Sequence, residues 1–331
     1  MKTRRALAAT AAAAAAAAAL SPLSLMANTT AKDGGSGRPL FTPRSRISDV
    51  LAEPAFEGFA PYLLPLETIG GAQSLSRAAA ALPLENIARL LPYHTYVSAE
   101  ASCGILNRMR KRRESTDALW TPLSHADAGL FFYPGRKGAP FVLIAAGGGF
   151  VYVGSIHEGF PYAEVMSRCG LNAFVLQYRV TAGGSSAIED MADGLAHILS
   201  HAADYGVSDR HYALMGSSAG ARMAAILGRV GPAAFGRPER PKASAVLMAY
   251  TGYRDASADD PPTFMVQGTR DGIAPVRVTD ARMRALKALG VEVDYMRIEG
   301  MPHGFGLGLG TAAQGWVERA VDFFKRQAPL G

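Results

Sequence analysis

This 331-residue sequence predicts an α/β fold, a mostly parallel central sheet with helices on both faces. Three observations lead there. After residue 125 the chain alternates short β-rich runs with segments of helical spacing, the pattern of strands joined by crossover helices. The runs are almost continuously apolar, as strands covered on both faces are. With 49% hydrophobic and 19% charged residues and two cysteines, the composition is that of a globular chain with a large core, which excludes disordered, collagen-like and disulfide-framework classes.

In chain order, residues 1–27 read as an export signal. Lys2, Arg4 and Arg5 precede an uncharged Ala-dominated run, Ala6 to Ala19, and then the small-residue stretch Ser21 to Ala27. Thr3-Arg4-Arg5-Ala6-Leu7 resembles a twin-arginine leader, with Ala6 where a large apolar residue is usual. The expectation is a periplasmic or extracellular protein, with the export route left open. Alanine is too weakly apolar for a stable membrane span, so no membrane insertion is expected after signal removal.

Residues 28–45 are mostly Gly, Ser, Thr, Lys and Pro without apolar period, a flexible lead-in. Residues 46–125 read as a helical N-terminal flank or cap. Leu75, Ala78, Ala79 and Leu82, then Ile87, Leu90 and Leu91, keep helical spacing, and Pro54, Pro61, Pro65 and Pro83 break it into short helices. Residues 126–331 are expected to form the α/β core. Strands are expected at Leu130–Tyr133, Phe141–Ala146, Asn172–Val180, Tyr212–Met215, Ala245–Tyr250, Thr263–Gln267 and Val291–Ile298. Helices are expected near 159–168, 187–203, 218–228, 277–289 and 312–326. There is no internal repeat and no glycine-rich mononucleotide fingerprint.

The formal net charge of +6 falls to +3 without Lys2, Arg4 and Arg5, too mild to imply a nucleic-acid partner. The basic run Arg108, Arg110-Lys111-Arg112-Arg113 lacks aromatic interleaving and reads as a solvated helix end. Cys103 and Cys169 belong to no Cys-x-x-Cys pair or Cys/His cluster, which leaves a zinc or redox site without support; whether they pair is open. His197 and His201 share a helix face but lack a third ligand, and Asp190 and Asp193 near a helix start read as caps or dipole partners. No metal site is expected.

The chemistry concentrates in four places. Gly216-Ser217-Ser218-Ala219-Gly220 is G-x-S-x-G between an expected strand and an expected helix. A strained turn there lifts Ser218 above the sheet, and the tiny residues two before and two after it avoid the neighbouring backbone. Gly147-Gly148-Gly149-Phe150 directly follows a buried strand, and the amides of Gly148, Gly149 and Ala219 are the candidate donors to an oxyanion. Asp271 stands just past a strand end. His303, between Pro302 and Gly304, sits in a loop before the last helix, so the order is Ser, Asp, His. Asp294 and Glu299 are the rival acids. Phe150, Glu158, Arg222 and Tyr250 are candidate substrate contacts.

From about 128 to 327 the chain resembles the α/β-hydrolase superfamily, in particular acetyl-esterase or lipase-like serine esterases related to the bacterial feruloyl and acetylxylan esterase group. The resemblance rests on Gly147-Gly148-Gly149-Phe150, Tyr178-Arg179, Gly216 to Gly220, Gly268-Thr269-Arg270-Asp271 and His303-Gly304-Phe305-Gly306. It implies an α/β-hydrolase fold and ester hydrolysis without metal or organic cofactor. Ser218 would be the nucleophile, His303 the general acid and base, and Asp271 its orienter. Relatives of the hormone-sensitive-lipase type usually carry a His before the three glycines that steadies the loop; here that position is Ala146. The expected substrate is a small-molecule or carbohydrate ester with a short acyl group. Two alternatives are a serine amidase or peptidase of the same fold and a non-catalytic binding protein on this scaffold. The sequence leaves the oligomeric state open.

Overall fold

The computed structural model describes residues 39–65, 67–69, 72–74, 76–115 and 119–328. The export leader expected at 1–27, and the lead-in up to residue 38, lie outside them. From Phe41 onward the chain forms one compact unit.

The strands are β1 (Glu67–Ile69), β2 (Ala72–Ser74), β3 (Trp120–Pro122), β4 (Gly129–Tyr133), β5 (Phe141–Ala145), β6 (Asn172–Gln177), β7 (Tyr212–Ser217), β8 (Ala245–Ala249), β9 (Thr263–Gly268) and β10 (Val293–Ile298). The α-helices are α1 (Ile47–Leu51), α2 (Arg77–Ala80), α3 (Ala99–Ser115), α4 (Gly159–Arg168), α5 (Ser185–Ser200), α6 (Ala202–Tyr205), α7 (Ala219–Val230), α8 (Val276–Ala288) and α9 (Trp316–Gln327). Eight strands form one sheet in the order β10-β9-β8-β7-β5-β6-β4-β3. From β10 to β6 all neighbours are parallel, and β4 and β3 extend the sheet with antiparallel pairings. This is the mostly parallel α/β architecture the sequence predicts.

The alternation of side chains along each strand explains the two-faced burial. On β5, Val142 and Ile144 enter the apolar cluster shared with α4, α9 and the N-terminal flank, while Phe141, Leu143 and Ala145 enter the cluster shared with α5, α7 and α8. All five are fully buried, which is why the run carries no polar alternation. The outer strand β3 ends in Pro122, tolerated at an edge because no further strand needs its N–H. Trp120 of β3 stacks on Tyr62 of the flank at 4.9 Å and packs on Phe131 of β4 at 4.6 Å, so apolar side chains cover that edge.

Several local expectations need correction. The segment Ile47–Leu91 carries 3₁₀ turns at Pro54–Phe56, Ala60–Leu63 and Leu84–Leu90 and the small antiparallel pair β1–β2 besides its short α-helices. The strand expected to reach Val180 stops at Gln177. Tyr178 instead donates its hydroxyl to the carbonyl of Ala146 at 2.8 Å, and Arg179 turns to Asp190. Nor is the basic run on α3 a solvated end: Arg108 grips Glu164 of α4 through two bonds of 2.8 and 2.9 Å. Buried Arg110 lies 3.5 Å from Glu53, and Arg112 donates to the carbonyl of Phe132 at 2.7 Å while lying over the Tyr133 ring. Arg108 and Arg112 thus tie the flank to α4 and β4, while Arg110 pairs within the flank.

Asp190 and Asp193 are not caps either, since Gly184 occupies the N-cap of α5. Asp190 accepts from the backbone N–H, Nε and Nη2 of Arg179, and Asp193 pairs with Arg237. Cys103 and Cys169 are free thiols.

Because Leu143 lies in the centre of the sheet with no exposed surface, Leu143→Ala is expected to lower the unfolding free energy by about 2–5 kcal/mol, read from urea denaturation.

Candidate active site

The carboxyl ends of the parallel strands bring the distant motifs together, as in open α/β sheets generally. The chain leaves β5 for β6 on one side and reaches β7 on the other, so a crevice opens between the ends of β5 and β7. Into it project the glycine loop after β5, Ser218 after β7, Thr251 to Asp255 after β8, Asp271 after β9 and His303 after β10.

Ser218 is the N-cap of α7 and holds φ 50° and ψ −112°, a backbone conformation that L-residues rarely adopt. Its N–H donates to Ala249 O at 2.9 Å, anchoring the turn to β8. Close packing enforces the small residues around it. A Cβ on Gly220 would run into the carbonyl of Ala145, and one on Gly216 into the backbone of Gly220. Ser217, by contrast, is fully buried with its hydroxyl on Tyr162, 3.3 Å away.

Ser218 Oγ lies 2.9 Å from His303 Nε2, and His303 Nδ1 lies 2.7 Å from Asp271 Oδ2. Asp271 is itself fixed: Oδ1 accepts the N–H groups of Ile273 at 2.8 Å and Ala274 at 2.7 Å, and Oδ2 accepts Gln267 Nε2 at 2.8 Å. Thr279 of α8 holds Gln267 from behind at 3.0 Å. With Asp271 accepting, His303 Nδ1 carries a proton and Nε2 faces the serine as acceptor. The rival acids lie elsewhere: Asp294 pairs with Arg319 and Arg326, and Glu299 with Thr269 and Arg297.

The glycine loop passes close to the serine, since a Cβ on Gly147 would lie 3.1 Å from that of Ser218. Gly148, at φ +141°, has no room for a side chain against the carbonyl of Tyr152. Among the described residues, the N–H groups of Gly148, Gly149 and Ala219 have no acceptor in the chain. Gly149 and Ala219 line the crevice with Ser218, and Gly148 is buried just behind.

Phe150 and Arg222 line the crevice, as the sequence suggests for substrate contacts. Glu158 and Tyr250 do not, and that expectation is corrected: both are fully buried behind the glycine loop. Glu158 Oε2 accepts the Gly147 N–H at 2.6 Å, and Oε1 accepts the Tyr250 hydroxyl at 2.6 Å and stands 3.1 Å from His94 Nε2. Tyr162 joins through the Tyr250 hydroxyl at 2.9 Å. Burial alone would raise the Glu158 pKa, but the charge and hydrogen bond of His94, with the hydrogen bonds of Tyr250 and the Gly147 N–H, bring it down to about 2. Burial, helped by His94, lowers His157 to about 4.

His94, Tyr152 and Tyr162 carry no signal in the sequence. His94 belongs to the flank, yet its Nδ1 meets the Tyr152 hydroxyl at 3.0 Å and its ring stacks edge-on against His157 at 5.3 Å. The next residue, Thr95, donates its N–H to Gly304 O at 2.9 Å and its hydroxyl to His303 O at 2.7 Å. The flank therefore holds both the glycine loop and the histidine loop. Only the run Pro92-Tyr93-His94-Thr95-Tyr96, polar and aromatic after an apolar stretch, hints at it.

Among the described residues, His125, Asp190 and Asp193 bring ligand-type atoms within 4.8 Å of one another. Both carboxylates are already bound by arginines, Arg179 and Arg237, so the charge a cation would supply is present. His197 and His201 stack at 4.3 Å and, among the described residues, hydrogen-bond to the Tyr205 hydroxyl and to backbone.

The buried acid and histidine give folding a defined pH dependence. His157 stabilises the fold fully above its ordinary 6.5, and that contribution is lost as pH falls towards 4. Glu158 contributes fully above its ordinary 4.5, and its share is lost as pH falls towards 2. Urea denaturation should therefore show stability declining below pH 6.5 and again below 4.5. Glu158→Gln is expected to cost about 3 kcal/mol at pH 7 and to abolish the second decline.

Residues 132–239 match the family model BD-FAE. Among solved structures the chain is similar to an α/β-hydrolase enzyme from a Medee basin deep-sea metagenome library, at 21% identity and TM-score 0.56, over 64% of this chain and 98% of that one. It is similar also to the acetyl ester-xyloside bifunctional hydrolase of Caldicellulosiruptor lactoaceticus, at 20% identity and TM-score 0.54, over 62% and 89%. A third is esterase 2 of Thermogutta terrifontis, at 22% identity and TM-score 0.52, over 64% and 92%. By sequence, 91 residues are 34% identical to a non-reducing polyketide synthase of Stachybotrys bisbyi, 25% of this chain and 4% of that much longer protein. With its sheet order and its serine turn, the chain has the α/β-hydrolase fold of these structures, and its residues 132–239 match the BD-FAE family model.

Proposed function

We propose that this protein is a serine carboxylesterase acting on short acyl esters through an acyl-enzyme, with Ser218, His303 and Asp271 as its catalytic set. The observation that carries the reading is the unbroken hydrogen-bonded line from Ser218 Oγ through His303 to Asp271. Ser218 Oγ attacks the ester carbonyl while His303 Nε2 takes its proton. The negative charge on the former carbonyl oxygen falls to the unpartnered N–H groups of Gly148, Gly149 and Ala219, at the start of α7, whose dipole favours it. His303 then gives the proton to the leaving alcohol. Water, deprotonated by His303, attacks the acyl-enzyme, releasing the acid and restoring Ser218. Asp271 keeps the Nδ1–H tautomer and offsets the imidazolium charge.

The Caldicellulosiruptor lactoaceticus protein is described as an acetyl ester-xyloside hydrolase; an acetyl ester on a carbohydrate is the substrate class we carry over from it. The crevice beside Ser218, about 460 Å³, has apolar lining from Phe150, Ile273 and Ala274 for the acyl group. Among the described residues no helix is long and apolar enough to cross a membrane. The sequence of residues 1–27 supports export to the periplasm or beyond.

Hydrolysis of p-nitrophenyl esters by the folded protein is expected to be fastest for acetyl to butanoyl and to fall steeply towards dodecanoyl. Ser218→Ala should lose about six orders of magnitude in turnover, and Asp271→Asn about four. Esterase 2 of Thermogutta terrifontis has been captured phosphorylated by paraoxon. The same reagent should add one phosphoryl group to Ser218 here, read by mass spectrometry. A folded protein that neither reacts with paraoxon nor cleaves any of these esters would defeat the reading.

A further inference from the structure

We infer that the crevice beside Ser218 selects esters that carry a negative charge, held by Arg222 and Arg254. The inference rests on the esterase reading above and deepens it by naming the substrate class.

Arg222 and Arg254 both line the crevice, and both are exposed. Among the described residues neither has an ion pair or a hydrogen bond from its side chain. Neighbouring arginines are committed differently: Arg282 is buried on Asp260 at 2.9 Å, and Arg229 faces Asp255 at 4.0 Å. Asp255 is the acidic residue of the crevice wall, so its charge is met from outside. The wall therefore carries two guanidinium groups that no side chain engages, and one carboxylate, Asp255, that faces Arg229.

The position of Arg222 is itself informative. It lies in the first turn of α7, where the helix dipole disfavours a cation. Helical side chains lean back towards the N-terminus, which directs Arg222 over the turn that begins at Ser218. Arg254 stands on the loop after β8, which lines the same crevice with Thr251, Gly252 and Tyr253. Planar guanidinium groups bind carboxylates through paired hydrogen bonds, a geometry lysine lacks. Phe150, Ile273 and Ala274 supply apolar surface for the uncharged body of the substrate. The substrate is thus an ester with a carboxylate a few bonds from the scissile carbonyl.

Two matched pairs of substrates test this and tell which side of the ester bears the charge. On the acyl side, the p-nitrophenyl monoester of glutarate is compared with the pentanoate. On the alcohol side, 4-acetoxybenzoate is compared with its methyl ester. The wild type should favour the anion in at least one pair by about tenfold in kcat/KM, mainly through KM. Arg222→Gln and Arg254→Gln should each remove most of that ratio, Arg222→Lys should restore part of it, and added salt should weaken it. Lys287→Gln, an exposed charge on α8 outside the crevice, controls for net charge. A ratio at or below one in both pairs, or arginine variants that match Lys287→Gln, would overturn the inference. Thermal stabilisation by glutarate but not glutaramide, lost when both arginines are replaced, reads the same site without turnover. A protein that hydrolyses nothing yet shows this shift keeps the anion site and loses the esterase reading. Equal response to the two ligands rejects the site whatever the esterase result.

Discussion

Much of the site depends on one buried carboxylate. Glu158 lies beneath the glycine loop with no exposed surface, and it is tolerable there only because every direction it faces offers a donor: the Gly147 N–H, the Tyr250 hydroxyl and His94. Those partners come from the loop itself, from the end of β8 and from the N-terminal flank. One anion therefore ties three separate parts of the chain to each other. It also answers the departure at Ala146, where related esterases carry a loop-steadying histidine. Here the loop is held from below at Gly147, and its neighbour Ala146 is held through its carbonyl by Tyr178.

The flank is accordingly part of the site and not a separable cover. Tyr93 donates its N–H to Tyr152, His94 meets Glu158, and Thr95 fastens the loop that carries His303. The basic face of α3 joins this flank to α4 through Arg108 and to β4 through Arg112. Backbone strain at Ser218 persists for the same reason. The turn is anchored on β8 by its own N–H and pressed against β5 by the approach of Gly220 to Ala145, so the surrounding structure over-determines it.

How legible this was in the sequence follows from the range of each interaction. The strands were readable because double-sided burial leaves an apolar run in the local sequence, and the serine turn because its steric demand falls on residues two positions away. Asp271 and His303 were readable because strand ends and proline-glycine loops are local signals. Asp190 and Asp193 misled because a helix start is a local context for a cap, whereas their partners Arg179 and Arg237 are fixed by the fold. The same holds for Glu158. In sequence it is a polar residue beside a histidine in a loop, and only folding puts Tyr250 and His94 against it. β3 and the β1–β2 pair are three-residue strands, too short for a period to show.

Electrostatics links the buried acid to the proposed chemistry. A carboxylate next to Gly147 sits one peptide unit from the donors that would receive the oxyanion, and an uncompensated charge there would oppose the charge developing in the transition state. His94 and the Tyr250 hydroxyl take up that charge on the side away from the crevice. The crevice itself is lined by free N–H groups, the start of α7 and the two arginines, with Asp255 paired outward to Arg229. The negative residue that holds the loop in place is thus hidden behind it, and the free N–H groups are left where the proposed oxyanion would form.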